Sequence, residues 1–228
     1  HTRYWRDWSS DVCSSDLGEL GFGFWTALSG LFEGEDIPSC EFLHSSIDRQ
    51  VIHAFARRHS ERGGLVSEAP VDANGRFDLS RSPRSRSQRV ISWQATNRET
   101  GVIQSHPKIE ESDELFVDMT AALPGSALPQ GWSVALWDPQ RFAGPQGIAI
   151  LAIAKNSRWM SPIPPMDSKR TFGSFSKPLL IATAVSLSWY LTDFLEAKQW
   201  IDTSNQFARR LIRERLPDIR MINEDVMT

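Results

Sequence analysis

The chain has 228 residues, with 25 Lys and Arg against 28 Asp and Glu and a formal net charge of -3. That length suits about one domain, and the lack of net basicity removes a compositional argument for nucleic-acid binding. Two cysteines exclude a disulfide-rich secreted scaffold, while nine tryptophans and twelve phenylalanines favour a packed core over a disordered chain.

Residues 1–17 read HTRYWRDWSSDVCSSDL. The segment resembles a translated short-read sequencing adapter over its whole length, which sets it aside as non-native. On this reading the natural chain begins near Gly18, and 18–228 is a single, N-terminally truncated domain of metagenomic, bacterial origin. Arg far outnumbers Lys there, as expected of a GC-rich genome. Cys13 leaves with the segment, so Cys40 stands alone and no intrachain disulfide is available.

The uncharged run 20–32, LGFGFWTALSGLF, predicts a buried helix in which Gly21, Gly23 and Gly30 suit close packing. It is shorter than the ~20 residues of a membrane span. Ser45 or Ser46 is placed to N-cap a helix with Ile47, Val51, Ala54 and Phe55 on one face and Arg49, Arg57, Arg58 and Glu61 on the other, ended by Gly63 and Gly64. Residues 71–88, with Asn74-Gly75, Pro83 and alternating Arg and Ser, read as a loop or mobile hairpin tip.

Strands are predicted at 89–95 and 101–105, joined through 97–100 as a hairpin with Gly101 supplying a positive φ. The acidic stretch 110–114 then reads as the start of a helix carrying Leu115, Phe116 and Met119, stopped by Leu123-Pro124-Gly125. A second strand pair follows at 132–137 and 148–154, and the continuous run IAILAIA suits a central strand. Residues 161–175 read as loop. Pro178 opens an apolar helix, 179–195, expected in the core, and a second helix runs over 202–216 with Phe207, Leu211 and Ile212 on one side. The sum is an α+β domain: a small mixed or antiparallel sheet packed against helices, with two long C-terminal helices and no membrane span.

Cys40 and His44, four apart, have the types needed for a nucleophile with its base or for two metal ligands. Against this, no second natural cysteine is present, and His53 lies beyond the usual ligand spacing, on a different helix face from His59. An ordinary buried cysteine with satisfied histidines is expected. Glu110, Glu111, Asp113, Glu114 and Asp118 have the oxygen ligands of a hard cation, but the expected role is a solvated helix start. No glycine-rich phosphate loop occurs. No cofactor and no metal are therefore expected.

The stretch Trp93-Gln94-Ala95-Thr96-Asn97-Arg98-Glu99-Thr100-Gly101 is similar to a strand and turn of patatin-like lipases. Ala122-Leu123-Pro124 with Ser126-Ala127-Leu128-Pro129 is similar to their following Ser-Ala-Leu-Pro segment. The resemblance implies a Ser nucleophile on a G-x-S-x-G turn and an Asp in D-G-[GA]. Neither motif is present, so no catalytic residue is carried over.

The leading expectation is a non-catalytic interaction or assembly domain with a protein partner, in the cytoplasm. One alternative is a hydrolase whose nucleophile precedes Gly18. Another is nucleic-acid binding, with Arg76, Arg81, Arg84, Arg86 and Arg89 as phosphate or partner contacts.

Overall fold

Hydrogen-bonded strands of four to seven residues, most of them buried on both faces, form the frame of this chain, together with one two-residue strand. The computed structural model describes residues 12–13, 20–33, 35–82, 85, 88–164, 176–219 and 221. In chain order the strands are β1 (Val12–Cys13), β2 (Cys40–Ser45), β3 (Leu65–Ala69), β4 (Gln88–Gln94), β5 (Asp113–Asp118), β6 (Val134–Trp137) and β7 (Ile150–Ile153). The helices are α1 (Leu20–Glu33), α2 (Gln50–Glu61) and α3 (Lys177–Arg215). The described strands form one sheet in the order β1-β7-β6-β5-β4-β2-β3. The five strands from β3 to β6 run parallel, while β7 is antiparallel to β6 and β1 is antiparallel to β7. The α+β expectation with a mixed sheet stands.

Side-chain alternation divides the interior in two. Phe42 on β2, Phe116 on β5 and Val134 on β6 point to one face, where Phe24, Leu28 and Leu31 of α1 and Ile52 and Ala56 of α2 cover them. Leu43, Ile91, Trp93, Leu115 and Val117 point to the other face, closed by Phe77, Leu79, Ile109 and Trp132. Gly30 in α1 has a packing reason. A Cβ at Gly30 would overlap the Trp159 indole nitrogen, which donates to the Thr26 carbonyl at 3.2 Å.

Several expectations are corrected. The predicted helix after 110 is strand β5. Its apolar run is buried on both faces, as in a central parallel strand, and its carboxylates bind cations and loop donors rather than a helix dipole. Asp113 holds Arg89, Glu114 accepts from Ser157 and from the Arg158 backbone, and Asp118 holds Arg49. Ser45 closes β2 instead of capping a helix, and α2 begins at Gln50 with no side-chain cap.

The run expected to be central, β7, has only the two-residue β1 beyond it. Residues 1–17 are not wholly set apart from the fold, because Val12 pairs with Ala152 and Cys13 with Leu151 as strand β1. The hairpin expected at 89–105 is present in reduced form: β4, an isolated antiparallel bridge from Thr96 to Ile103, and Gly101 at φ 72°.

The helix expected in the core is exposed. Ile181, Val185 and Trp189 of α3 are 63%, 62% and 77% accessible. Its two halves, Lys177–Asp193 and Lys198–Arg215, meet at a bend of 72°, and no single described helix is long and apolar enough to cross a membrane. The loop expected at 161–175 lies outside the described residues beyond 164.

Candidate functional site at the carboxyl ends of the strands

In a parallel sheet the strand ends all deliver their following loops to one edge, and crevices there collect polar side chains. In this chain the edge is formed by the ends of β2, β4, β5 and β6. Asp48 follows β2 and is buried. Its carboxylate accepts from the Ser45 backbone N–H at 2.9 Å and from Gln94 Nε2 at 3.0 Å. Burial pushes the Asp48 carboxyl up to about 7, the Ser45 N–H opposes that rise, and the nearby Asp118 charge adds to it. Asn97 locks the turn beyond β4. Its amide nitrogen donates to the Ile47 carbonyl and to Gln94 Oε1, and its oxygen accepts from the backbone N–H groups of Glu99 and Thr100.

Asp118 closes β5. Its Oδ2 accepts from Arg49 Nε at 3.0 Å, and its Oδ1 accepts from the backbone N–H of Thr120 at 2.8 Å and from the Thr120 hydroxyl. Arg49 Nη2 also donates to Thr120 Oγ1, and its guanidinium lies 5.6 Å from the centre of the Phe24 ring. From the connection after β6, Arg141 Nε donates to the Thr120 carbonyl at 3.1 Å. Asp138 sets that connection by accepting from the Gln140 N–H, which starts a single 3-10 turn over Pro139–Phe142. Two guanidinium groups thus converge on Thr120, with one carboxylate between it and Arg49.

The residues singled out from sequence are distributed elsewhere. Arg89 is buried against Asp113 at 3.1 Å and lines an open cleft of about 370 Å³ with His106 and Lys108, at the opposite edge of the sheet. Arg76 is half-buried within the turn that Asp72 closes by accepting from its N–H, and Arg81 is exposed. Arg84 and Arg86 lie outside the described residues.

Cys40 and His44 do not form a reactive pair. The Cys40 carbonyl accepts from His59, burial pushes its thiol up to about 12, and His44 stacks edge-on against His53 instead. A thiol so raised has almost no thiolate at neutral pH. The acidic group is also dispersed, with Asp113 and Glu114 at one end of β5 and Asp118 at the other.

Arg49, Asp118, Thr120 and Arg141 were not joined by the sequence reading. Arg49 and Asp118 each looked like part of a helix face. No local spacing links them, and the signal that does is the parallel register bringing β2 and β5 to the same edge.

A sheet of this order, flanked by helices and with its polar cluster at the strand ends, defines a class of solved folds. No family model and no curated protein sequence matches the chain. Among solved structures, a NifS-like protein superposes with a TM-score of 0.77 at 18% identity, over 92% of this chain and 62% of its own. SspA in complex with cysteine gives 0.66 at 17%, over 78% of this chain and 55% of its own. The cysteine desulfurase CsdA from Escherichia coli gives 0.65 at 12%, over 79% and 52%. The chain therefore spans less than two thirds of the length of these structures.

The likeness establishes the fold, and it corrects the recognition drawn from sequence: the chain is similar to NifS-like proteins, neither a patatin-like lipase nor a chain marked by its adapter-like opening. It also overturns the expectation of a non-catalytic assembly domain, since these neighbours include enzymes, and it leaves no support for the hydrolase.

The fold family implies pyridoxal phosphate, a cofactor held by a lysine Schiff base with an acidic partner on its pyridine nitrogen. The described residues do not fit that group. Asp118 has lone pairs to spare for a pyridine nitrogen beside its contacts with Arg49 and Thr120, so the misfit lies in the amine. The basic groups beside Asp118 are arginines, whose guanidinium stays protonated and cannot supply the free amine of a Schiff base. Each described lysine, at 108, 155, 177 and 198, is exposed. Lys155 follows β7, which is antiparallel to β6, and so sits at the other sheet edge.

Proposed function

We propose that this chain binds a small free amino acid of the cysteine type at the carboxyl ends of β2, β4 and β5, without a lysine-linked aldehyde cofactor. The observation carrying this is the convergence of Arg49 and Arg141 on Thr120 beside Asp118. An amino acid needs a cation for its carboxylate and an anion for its ammonium, and the cluster holds both signs within a few ångströms. The exposed Arg141 is the carboxylate partner, since only its Nε is committed to Thr120 among the described residues. The acidic partner is Asp118, whose carboxylate lies against Arg49 and Thr120. A fold neighbour solved with cysteine supports the choice of ligand class.

Asp48 adds a route to chemistry, since a carboxyl near 7 exchanges its proton at neutral pH. Its place behind Gln94 and the Ser45 N–H makes it a positioning residue and proton reservoir, with no direct contact to ligand.

Calorimetric titration with L-cysteine and with cysteamine, which lacks the carboxylate, tests the proposal. L-cysteine binds and cysteamine does not. Arg141→Ala weakens L-cysteine binding by about 10- to 100-fold, the loss of one charge-assisted contact of ~1.5–3 kcal/mol. Absence of L-cysteine binding at millimolar concentration, or equal binding of cysteamine, overturns it.

A further inference from the structure

We propose that His44, His53 and Glu68 form a three-ligand site for a divalent transition-metal ion, with Zn2+ as the best-matched occupant. Parallel register sets two of the three: His44 on β2 is the direct partner of Glu68 on β3. His53 is contributed by the first turn of α2, which packs over the same face, and its ring centre lies 5.0 Å from that of His44 at 86°. The ligand atoms of the three side chains all lie within 4.8 Å of one another.

The imidazole of His44 is oriented for this task. Its Nδ1 lies 3.2 Å from the Ser45 carbonyl, which can only accept. The proton is therefore on Nδ1 and the lone pair on Nε2, the arrangement that fixes metal-bound histidines through a backbone carbonyl. Among the described residues, Nε2 of His44 and the Glu68 carboxylate have no other hydrogen-bond partner.

Burial grades outward across the site: His44 is 4% accessible, His53 half-buried and Glu68 exposed. His44 is thus the fixed anchor, and the other two side chains are free to close on the ion. Tetrahedral ligands at bond lengths of about 2.1 Å sit ~3.4 Å apart, against a spacing within 4.8 Å here. Two nitrogens and one carboxylate oxygen suit zinc with water in the fourth position, toward solvent on the Glu68 side. A hard cation such as Mg2+ would prefer oxygen ligands.

The inference shares no residue with the amino-acid site around Arg49 and Arg141, so each stands or falls independently of the other. The test is titration of the whole chain with Co2+, whose visible bands report coordination, followed by displacement with Zn2+. One equivalent of Co2+ binds and one equivalent of Zn2+ displaces it. His53→Gln and Glu68→Gln, at accessible positions where folding is easily checked by circular dichroism, each weaken binding tenfold or more. His106→Gln and Arg141→Ala leave it unchanged. Failure of Co2+ and Zn2+ to bind at submillimolar concentration, or binding unaffected by His53→Gln and Glu68→Gln in folded protein, overturns the assignment.

Discussion

Arg49 Nε lies 3.0 Å from Asp118 Oδ2, although the two residues are 69 positions apart in the chain. The Asp118 side chain is 6% accessible and that of Arg49 is 21%. This ion pair joins the loop after β2 to the end of β5 across the intervening strand β4, and the whole polar cluster is organised around it.

Arg49→Ala is expected to leave the Asp118 carboxylate buried with only its Thr120 donors. Loss of a partner from a largely buried pair costs about 2–4 kcal/mol, discounted for the partial exposure of Arg49. Arg49→Lys should recover only part of that, because one ammonium cannot reproduce the fork to Asp118 and Thr120. Urea unfolding of the three proteins measures both quantities. Equal midpoints for Arg49→Ala and wild type would show that the pair contributes nothing.

The Asp48 carboxyl predicts a pH dependence of stability. Its folded value is about 7 against an ordinary aspartate value of 3.8, so between those values the folded chain binds more protons than the unfolded one. Stability from this group is therefore greatest below pH 4 and falls as pH rises toward 7, by a few kcal/mol at most. Asp48→Asn mimics the protonated form and should flatten that slope, becoming more stable than wild type at pH 8. Denaturation midpoints for both proteins from pH 4 to 8 decide it, and identical slopes would refute the burial argument.

Cys40 should be chemically silent in the native state, since burial holds its thiol near 12. Iodoacetamide at pH 8 followed by peptide mapping should find Cys40 unmodified in native protein and alkylated in urea. Rapid native labelling would contradict the packing of β2.

The arginine-rich strand ends predict that added pyridoxal phosphate makes no stable lysine adduct. After incubation with the cofactor and borohydride reduction, intact mass should be unchanged at stoichiometric cofactor. A single reduced pyridoxyl adduct on one lysine would reverse the conclusion that the described residues do not fit the group.

Replacing Gly30 with Ala tests the α1 packing directly. The new Cβ would overlap the Trp159 indole, an overpacking cost of about 1–3 kcal/mol. Tryptophan fluorescence should shift along with the unfolding midpoint, and an unshifted spectrum with unchanged stability would count against that contact.

The sequence by itself determined the apolar helix α1, the strand pair β6 and β7, the turn at Asn97–Gly101 and the α+β class, because each depends on local periodicity or on a residue such as Gly101 with a special backbone. Tertiary structure alone decided that the acidic stretch before Leu115 belongs to a strand, since burial on both faces comes from β4 and β6, which no local window contains. It also brings together the residues of the two proposed sites. His44, His53 and Glu68 have no motif spacing, and neither have Arg49, Asp118 and Arg141. Parallel strands place residues together by register across distant segments, and the chain's linear order carries no record of that register.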